Sequence, residues 1–333
     1  MIDAIALARQ LIDVPSTTEN ERAIAELLDR ELTRLGFTVQ RQAVTNERFN
    51  VLASAGGRPR VVINSHIDTV PPWFAAREDD EHLYGRGACD TKGVIAAMIA
   101  AGEQLRAQNV NDFAFLFVVG EETDSVGAKT ANEAFKDLGS EYVLVGEPTE
   151  SKFARASKGA LTAFVRFDGV AGHSAYPERG DSAINKMVNA IAEINVTDWG
   201  SDELLGATTV NVGVVRGGEK PNIIAGSAEC EMIFRLAGDF DHARLEAILA
   251  NHNGTITVSR GNPPQHMFVP EGAPSSVVAF NTDVPWLSNL GTPLLFGPGS
   301  ILDAHGANEK IGKRELLDAV ETYVSTVTTL CRS

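Results

Sequence analysis

The stretch Val61–Pro72, VVINSHIDTVPP, decides how the rest of the chain is read. It opens as a run of apolar β-formers, the pattern of a buried strand, and turns at Pro71-Pro72. At its end it delivers His66 and Asp68. Alternate residues of an extended segment point the same way, so Asp68 is expected behind the His66 ring, accepting its second N–H and fixing the tautomer for a metal on the other nitrogen. That pair is half of a metal site, and the remaining donors must come from elsewhere.

At 333 residues the chain exceeds the size at which one hydrophobic core stops growing, so two domains are expected. Its 44% hydrophobic and 22% charged residues are ordinary for a globular protein and argue against disorder. The longest nearly apolar stretch, Val94 to Gly102, falls well short of the roughly 18–20 residues that cross a bilayer. The start, MIDAIALARQLIDVP, carries Asp3 and no basic region followed by an apolar run; no secretory signal is read there, and the cytoplasm is the expected compartment. The three cysteines, Cys89, Cys230 and Cys331, are odd in number and widely spaced, which fits a reducing compartment without a disulfide framework. A formal charge of −15 argues against a nucleic-acid partner and suits small cationic or amphoteric substrates.

Upstream of the opening stretch, Thr18 and Glu21 spell a capping box, and Ile24, Leu27, Leu28, Leu32 and Leu35 repeat at helical spacing up to Gly36. Residues 37–42 and 49–54 alternate like strands before the strand at 60–66. Downstream, a polar loop leads into GRGACDTKG at 85–93 and an apolar helix from Val94 to Leu105. FAFLFVV at 113–119 reads as a buried strand tipped by Gly120-Glu121-Glu122, and Tyr142 to Val145 as another tipped by Gly146-Glu147-Pro148. Three strands thus end in histidine or carboxylates, and in open α/β sheets sites gather at the carboxyl ends of the strands.

From about Gly159 the order becomes strand (160–168), helix (181–194), strand (207–216), strand (226–236), helix (239–250), strand (254–260). That is β-α-β-β-α-β, the split βαβ unit of ferredoxin-like folds. The expected organisation is an α/β first domain over 1–157, an inserted α+β domain over 158–266, and a return to the first domain over 267–333. The last part passes LLFGPGSILDAHGANEKIG, which carries His305 in a glycine-rich loop, and ends in a helix with Leu316, Leu317, Val320, Val324 and Val327 on one face.

Collected, the candidates are His66, Asp68, Asp90, Glu121, Glu122, Glu147 and His305. Two histidines with three carboxylates make a ligand set for two adjacent divalent ions sharing one bridging carboxylate, and zinc takes nitrogen and oxygen donors of this kind. Successive residues past a strand tip can point differently, so one of Glu121 and Glu122 can bind metal while the other stands over a water as general base. Asp90 also has a plain alternative as the cap of the helix that follows it. His82, His242, His252 and His266 carry no partner pattern and read as surface residues, and Cys89 as structural.

SHIDTVPP, GRGACDTKG, GEETDSVGAK, GEPTE, AGHSAYPERGDSAI and GPGSILDAHGANE, in this order along nearly the whole chain, resemble the M20 family of metal-dependent amidohydrolases. Within it they are similar to the branch of acetylornithine deacetylase, succinyl-diaminopimelate desuccinylase and carboxypeptidase G2. The resemblance implies a zinc-hydrolase catalytic domain with a mixed central sheet flanked by helices, and an inserted lid and dimerisation domain. It implies that His66, Asp90 and Glu147 hold one zinc, with Asp90 bridging, and that Glu122 and His305 complete the pair; cobalt can substitute. Glu121 then resembles the general base and Asp68 the orienter of His66. His173 matches a histidine that reaches the partner subunit's site to steady the oxyanion. Asn222, Arg235 and Gly297 match substrate-holding positions. The implied activity is hydrolysis of the amide of a small N-acyl amino acid, first N-acetylornithine or N-acetyl-lysine in arginine or lysine biosynthesis. The alternatives are succinyl-diaminopimelate and, for a dinuclear dipeptidase or aminopeptidase, small peptides. A homodimer is the implied assembly.

Overall fold

The computed structural model describes residues 2–332, with backbone alone at 258–260. The chain divides into two compact units, one formed by Met1–Arg155, His266–Ser276 and Thr282–Ser333, the other by Ala156–Gln265 and Val277–Asn281. The short return of Val277–Asn281 to the second unit lies beyond the single insertion that the sequence suggests.

The first unit begins with helices α1 (Ala4–Ile12) and α2 (Arg22–Arg34), then strands β1 (Thr38–Ala43), β2 (Phe49–Ser54) and β3 (Val61–His66). Helix α3 (Gly93–Ala107), strand β4 (Phe113–Val118), helix α4 (Val126–Ala134) and strand β5 (Tyr142–Val145) follow. The second unit carries β6 (Gly159–Asp168), α5 (Ala183–Val196), β7 (Thr209–Gly217), β8 (Ser227–Leu236), α6 (His242–Asn251) and β9 (Gly254–Asn262). The chain returns with β10 (Thr292–Leu295) and α7 (Lys313–Arg332).

The central sheet runs β1-β2-β4-β3-β5-β10. Strands β4, β3, β5 and β10 are parallel neighbours, and β2 joins β4 antiparallel, so the sheet is mixed. Every residue of β3 and β4 is buried, which is why β4 reads as an unbroken apolar run and β3 opens as one before its polar tip at Asn64, Ser65 and His66. Phe113, Phe115 and Phe117 alternate along β4 and share one core with Phe37, α3 and the inner faces of α1, α2 and α7. Helix α3 is apolar almost all round because its neighbours enclose it. Helix α2 ends in a Schellman motif: the Phe37 N–H reaches the Leu32 carbonyl and the Gly36 N–H the Thr33 carbonyl, with Gly36 at φ +83°.

Two local expectations are corrected. No capping box forms at the start of α2; Thr18 gives its hydroxyl to Asp68, and Glu21 is buried against Arg48 at 2.6 Å. On α7, Leu317 is 43% exposed, and Ala319, Tyr323 and Leu330 join Leu316, Val320, Val324 and Val327 inside. Leu317 directly follows Leu316, and neighbours on a helix lie about 100° apart, too far to share one narrow apolar stripe.

The second unit is an antiparallel sheet in the order β7-β8-β6-β9. Strands β6 and β8 alternate buried and accessible residues, and the buried set packs with Met187, Ile194, Leu245 and Leu249 of α5 and α6. This is the β-α-β-β-α-β unit read from the sequence.

Candidate metal centre

Because β3, β4 and β5 are parallel neighbours, their carboxyl ends meet at one edge of the sheet. His66 closes β3, Glu121 and Glu122 follow β4, and Glu147 follows β5. Ser65 and Thr91 join these tips: the Thr91 hydroxyl donates to the His66 carbonyl at 2.7 Å, and the Ser65 hydroxyl lies between Thr91 Oγ1 (2.7 Å) and the Gly146 carbonyl (2.9 Å). Asp90 does not cap α3; its backbone is non-helical and its side chain turns to the histidines.

The two carboxylate oxygens of Asp90 face different histidines. Oδ1 is 3.0 Å from His66 Nε2 and Oδ2 is 3.2 Å from His305 Nε2. Glu147 Oε2 lies 3.9 Å from His66 Nε2, and Glu122 Oε2 lies 3.1 Å from His305 Nε2. The site therefore has two halves hinged on Asp90: His66 with Glu147, and His305 with Glu122.

Asp68 does face the His66 ring, with Oδ1 at 3.5 Å from Nδ1, but the nearer acceptor is its own carbonyl oxygen at 3.0 Å. The tautomer that leaves Nε2 free for a metal is fixed mainly by backbone, which modifies the sequence expectation. The carboxylate has a second task. Oδ1 accepts the N–H groups of Gly120 (2.9 Å) and Glu121 (3.1 Å), and Oδ2 accepts that of Glu122 (3.2 Å) and the Thr18 hydroxyl (2.9 Å). The turn that aims both glutamates is thus built on Asp68.

The electrostatics divide the carboxylates. Burial works to raise the Asp90 pKa, but the His305 and His66 contacts outweigh it and hold it below the usual carboxylate range. Burial likewise opposes Asp68, and His66 with the turn donors brings it below its ordinary value. Burial, reinforced by the Glu147 charge, pushes Glu121 well above its ordinary value, and burial with Asp90 nearby does the same to Glu147. The contacts with Asp90 and Glu122 push His305 up to about 10. The clustered carboxylates carry more negative charge than two histidines can balance, and divalent cations would offset it. Among the described residues, ligand atoms of His66, Asp90 and Glu122 all lie within 4.8 Å of one another. The donor set of imidazole nitrogens and carboxylate oxygens fits such ions.

Three residues of this region escaped the sequence reading. Asp283 is buried, and burial, outweighing the His66 charge and the Ser125 contact, pushes it up to about 7; its charge reaches Glu121 and Glu147. Arg86 and Glu309 form a buried ion pair, although both fall inside motifs already quoted. The signal available was a charged residue inside an otherwise apolar or glycine-rich motif.

Gly297 is buried against the Glu147 backbone, where a Cβ would sit 2.4 Å from the Glu147 carbonyl oxygen, so its contact is with the segment that carries Glu147. His173, Asn222 and Arg235 lie in the second unit. His173 pairs in register with Ile223, and the Ser174 N–H donates to the Asn222 carbonyl at 3.1 Å, which makes His173 and Asn222 neighbours. The Ala175 N–H donates to His173 Nδ1 at 3.1 Å, leaving Nε2 as the protonated nitrogen of the neutral ring. Arg235 is half-buried on β8. Among the described residues, no helix is long and apolar enough to cross a membrane.

The profile of Peptidase family M20/M25/M40 matches residues 62–329. A Peptidase M20 domain-containing protein of Schizosaccharomyces pombe is 36% identical over 332 residues, covering 96% of this chain and 82% of the relative. A probable carboxypeptidase of Emericella nidulans is 32% identical over 385 residues, covering 98% and 90%. An M20 family metallo-carboxypeptidase of Sulfolobus solfataricus superposes with a TM-score of 0.81 over 100% of both chains at 17% identity. The chain belongs to the M20/M25/M40 family of peptidases.

Proposed function

We propose that this chain is a two-metal amide hydrolase that releases the carboxyl-terminal amino acid from a small peptide or N-acyl amino acid. The observation that carries the reading is Asp90, with one oxygen to each histidine. His66, Asp90 and Glu147 would hold one ion, and His305, Asp90 and Glu122 the other. Such ions, zinc by donor preference and cobalt as a substitute, polarise a carbonyl and acidify water. Glu121 takes the proton of the attacking water and returns it to the departing amine nitrogen. Asp68 keeps Glu121 in place through the turn amides. The protonated Nε2 of His173 is the donor suited to the developing oxyanion, and Arg235 with Asn222 is suited to the substrate carboxylate.

The names of the relatives, a probable carboxypeptidase and a metallo-carboxypeptidase, favour substrates with a free terminal carboxylate. N-acetylornithine and N-acetyl-lysine belong to that class, and the GPGSILDAH segment leans toward them. The test is a panel of these two, succinyl-diaminopimelate, acyl dipeptides, free dipeptides and their C-terminal amides, run with zinc or cobalt. Hydrolysis of the acids with the amides inert is expected, as is reversible inactivation by chelator. Amides cleaved as fast as acids would remove the carboxylate requirement, and full activity after exhaustive dialysis against chelator would sink the metal mechanism.

A further inference from the structure

One fully buried ion pair has no part in the chemistry above. Arg86 Nη1 donates to Glu309 Oε2 at 2.6 Å, with both side chains shut off from solvent. Glu309 Oε1 accepts the backbone N–H groups of Cys89 (3.3 Å) and Asp90 (3.2 Å), and the Glu309 carbonyl accepts the Gly85 N–H at 3.1 Å. Arg86 also donates from Nε to the Pro72 carbonyl (3.2 Å) and from Nη2, at the long distance of 3.5 Å, to the His305 carbonyl. Its guanidinium lies 5.2 Å over the Phe74 ring. One pair thus joins the loop after β3, the turn carrying Asp90 and the loop carrying His305.

Removing two charges from water is costly, and a buried pair of this kind is a poor way to gain stability compared with apolar side chains. What it does supply is fixed direction: a planar fork on one side and a two-oxygen acceptor on the other. Direction is what His305 needs. Its φ of 61° lies in the left-handed region that residues other than glycine rarely adopt, so its backbone must be held by its surroundings.

From this geometry we infer that Arg86 and Glu309 are positioning residues for the two-metal centre. Glu309 sets the backbone of Asp90, whose carboxylate serves both halves, and Arg86 sets the backbone of His305, which serves one. The inference rests on the ligand assignment proposed above. It separates the two residues: loss of the Glu309 charge weakens both metal positions, whereas loss of the guanidinium fork weakens the His305 half alone.

The experiment titrates Co²⁺ into metal-free protein, with equilibrium dialysis for stoichiometry and visible absorption for ligand geometry, and circular dichroism as the check on folding. Wild type should take up two equivalents. Arg86→Lys keeps the positive charge but loses the fork; it should keep one equivalent near wild-type affinity and weaken the other by about 10–100-fold, the usual scale for residues that orient metal ligands. Glu309→Gln turns an N–H donor toward the guanidinium and should weaken both by a similar factor, with an altered cobalt spectrum. Should either variant fail to fold, Glu309→Asp, which draws the carboxylate away from the Cys89 and Asp90 amides with charge intact, carries the same expectation as Glu309→Gln. Wild type that takes up two equivalents, matched in affinity and spectrum by folded variants, overturns the inference alone. Wild type that takes up none overturns the ligand assignment and the inference with it. Unfolding of all three variants makes the pair a determinant of the fold and also overturns it.

Discussion

Glu121 and Glu122 are adjacent in the chain and opposite in environment. Glu122 is tied to His305 at 3.1 Å, whereas burial and Glu147 raise the proton affinity of Glu121. Glu121→Gln should therefore keep the metal content of wild type and cut turnover by about 10²–10⁴-fold, the scale of a lost general base. Elemental analysis alongside kinetics decides it, because a Glu121→Gln protein stripped of metal would exchange the two roles. A second expectation concerns the thiols. Burial pushes Cys89 well above its ordinary value and Cys230 up to about 11; burial, aided by the Asp112 charge, brings Cys331 to about 11 as well. A pKa raised by folding means that the folded chain holds these protons longer, so their share of stability is complete below pH 9 and lost as pH rises toward 11. The nucleophile is the thiolate, so at pH 8 an aromatic disulfide reagent should modify native protein slowly and all three cysteines rapidly after denaturation. Rapid reaction of the native protein would contradict this. At this scale the residues that the fold brings together at the site were legible because each sits at a strand tip or in a glycine-rich loop. Asp283 was not, since nothing local in NTDVPW marks a carboxylate that only the fold brings beside Glu121 and Glu147.

The elements followed their patterns closely where burial is two-sided. Strand β4 is apolar throughout, β3 opens on Val61-Val62-Ile63, and α3 is apolar from Val94 to Ala101, so burial and pattern agree there. Helix α4 was passed over because its apolar residues are mostly alanine and glycine, which carry little periodic contrast. The Thr18 and Glu21 motif misled for another reason: its side chains found stronger partners in Asp68 and Arg48, which a local rule cannot see. Gly102 shows a similar contest between local preference and packing. In the interior of α3 an alanine would gain about 1 kcal/mol of helix propensity. A Cβ there, however, would stand 2.4 Å from the Phe115 ring, and overpacking a tight core costs about 1–3 kcal/mol. Gly102→Ala should therefore lower stability in a denaturant titration, and Gly102→Val should lower it further. A stabilised Gly102→Ala protein would mean that Phe115 yields at little cost.

At the scale of the whole molecule the sequence announced two units through a change of pattern near Gly159, because α/β and split βαβ orders differ in how strands and helices alternate. It could not foresee that Val277–Asn281 rejoins the second unit, since so short a segment has no pattern of its own. The same division frames the last prediction. Every proposed metal ligand lies in the first unit, and His173 lies in the second, exposed and neighbouring Asn222. If His173 serves the site of a partner subunit, as the resemblance implies, then two inactive proteins should rescue each other. Glu121→Ala lacks the base and His173→Ala lacks the oxyanion donor, a loss worth about 3–4 kcal/mol by analogy with other oxyanion donors. Mixed under conditions that let dimers exchange, they should form heterodimers in which one site of two has both groups. Equal mixing makes about half the dimers hetero, so activity should recover to roughly a quarter of wild type for a symmetric dimer. A fully active monomer in sedimentation, or demonstrated exchange without recovery, would show that His173 does not act across subunits.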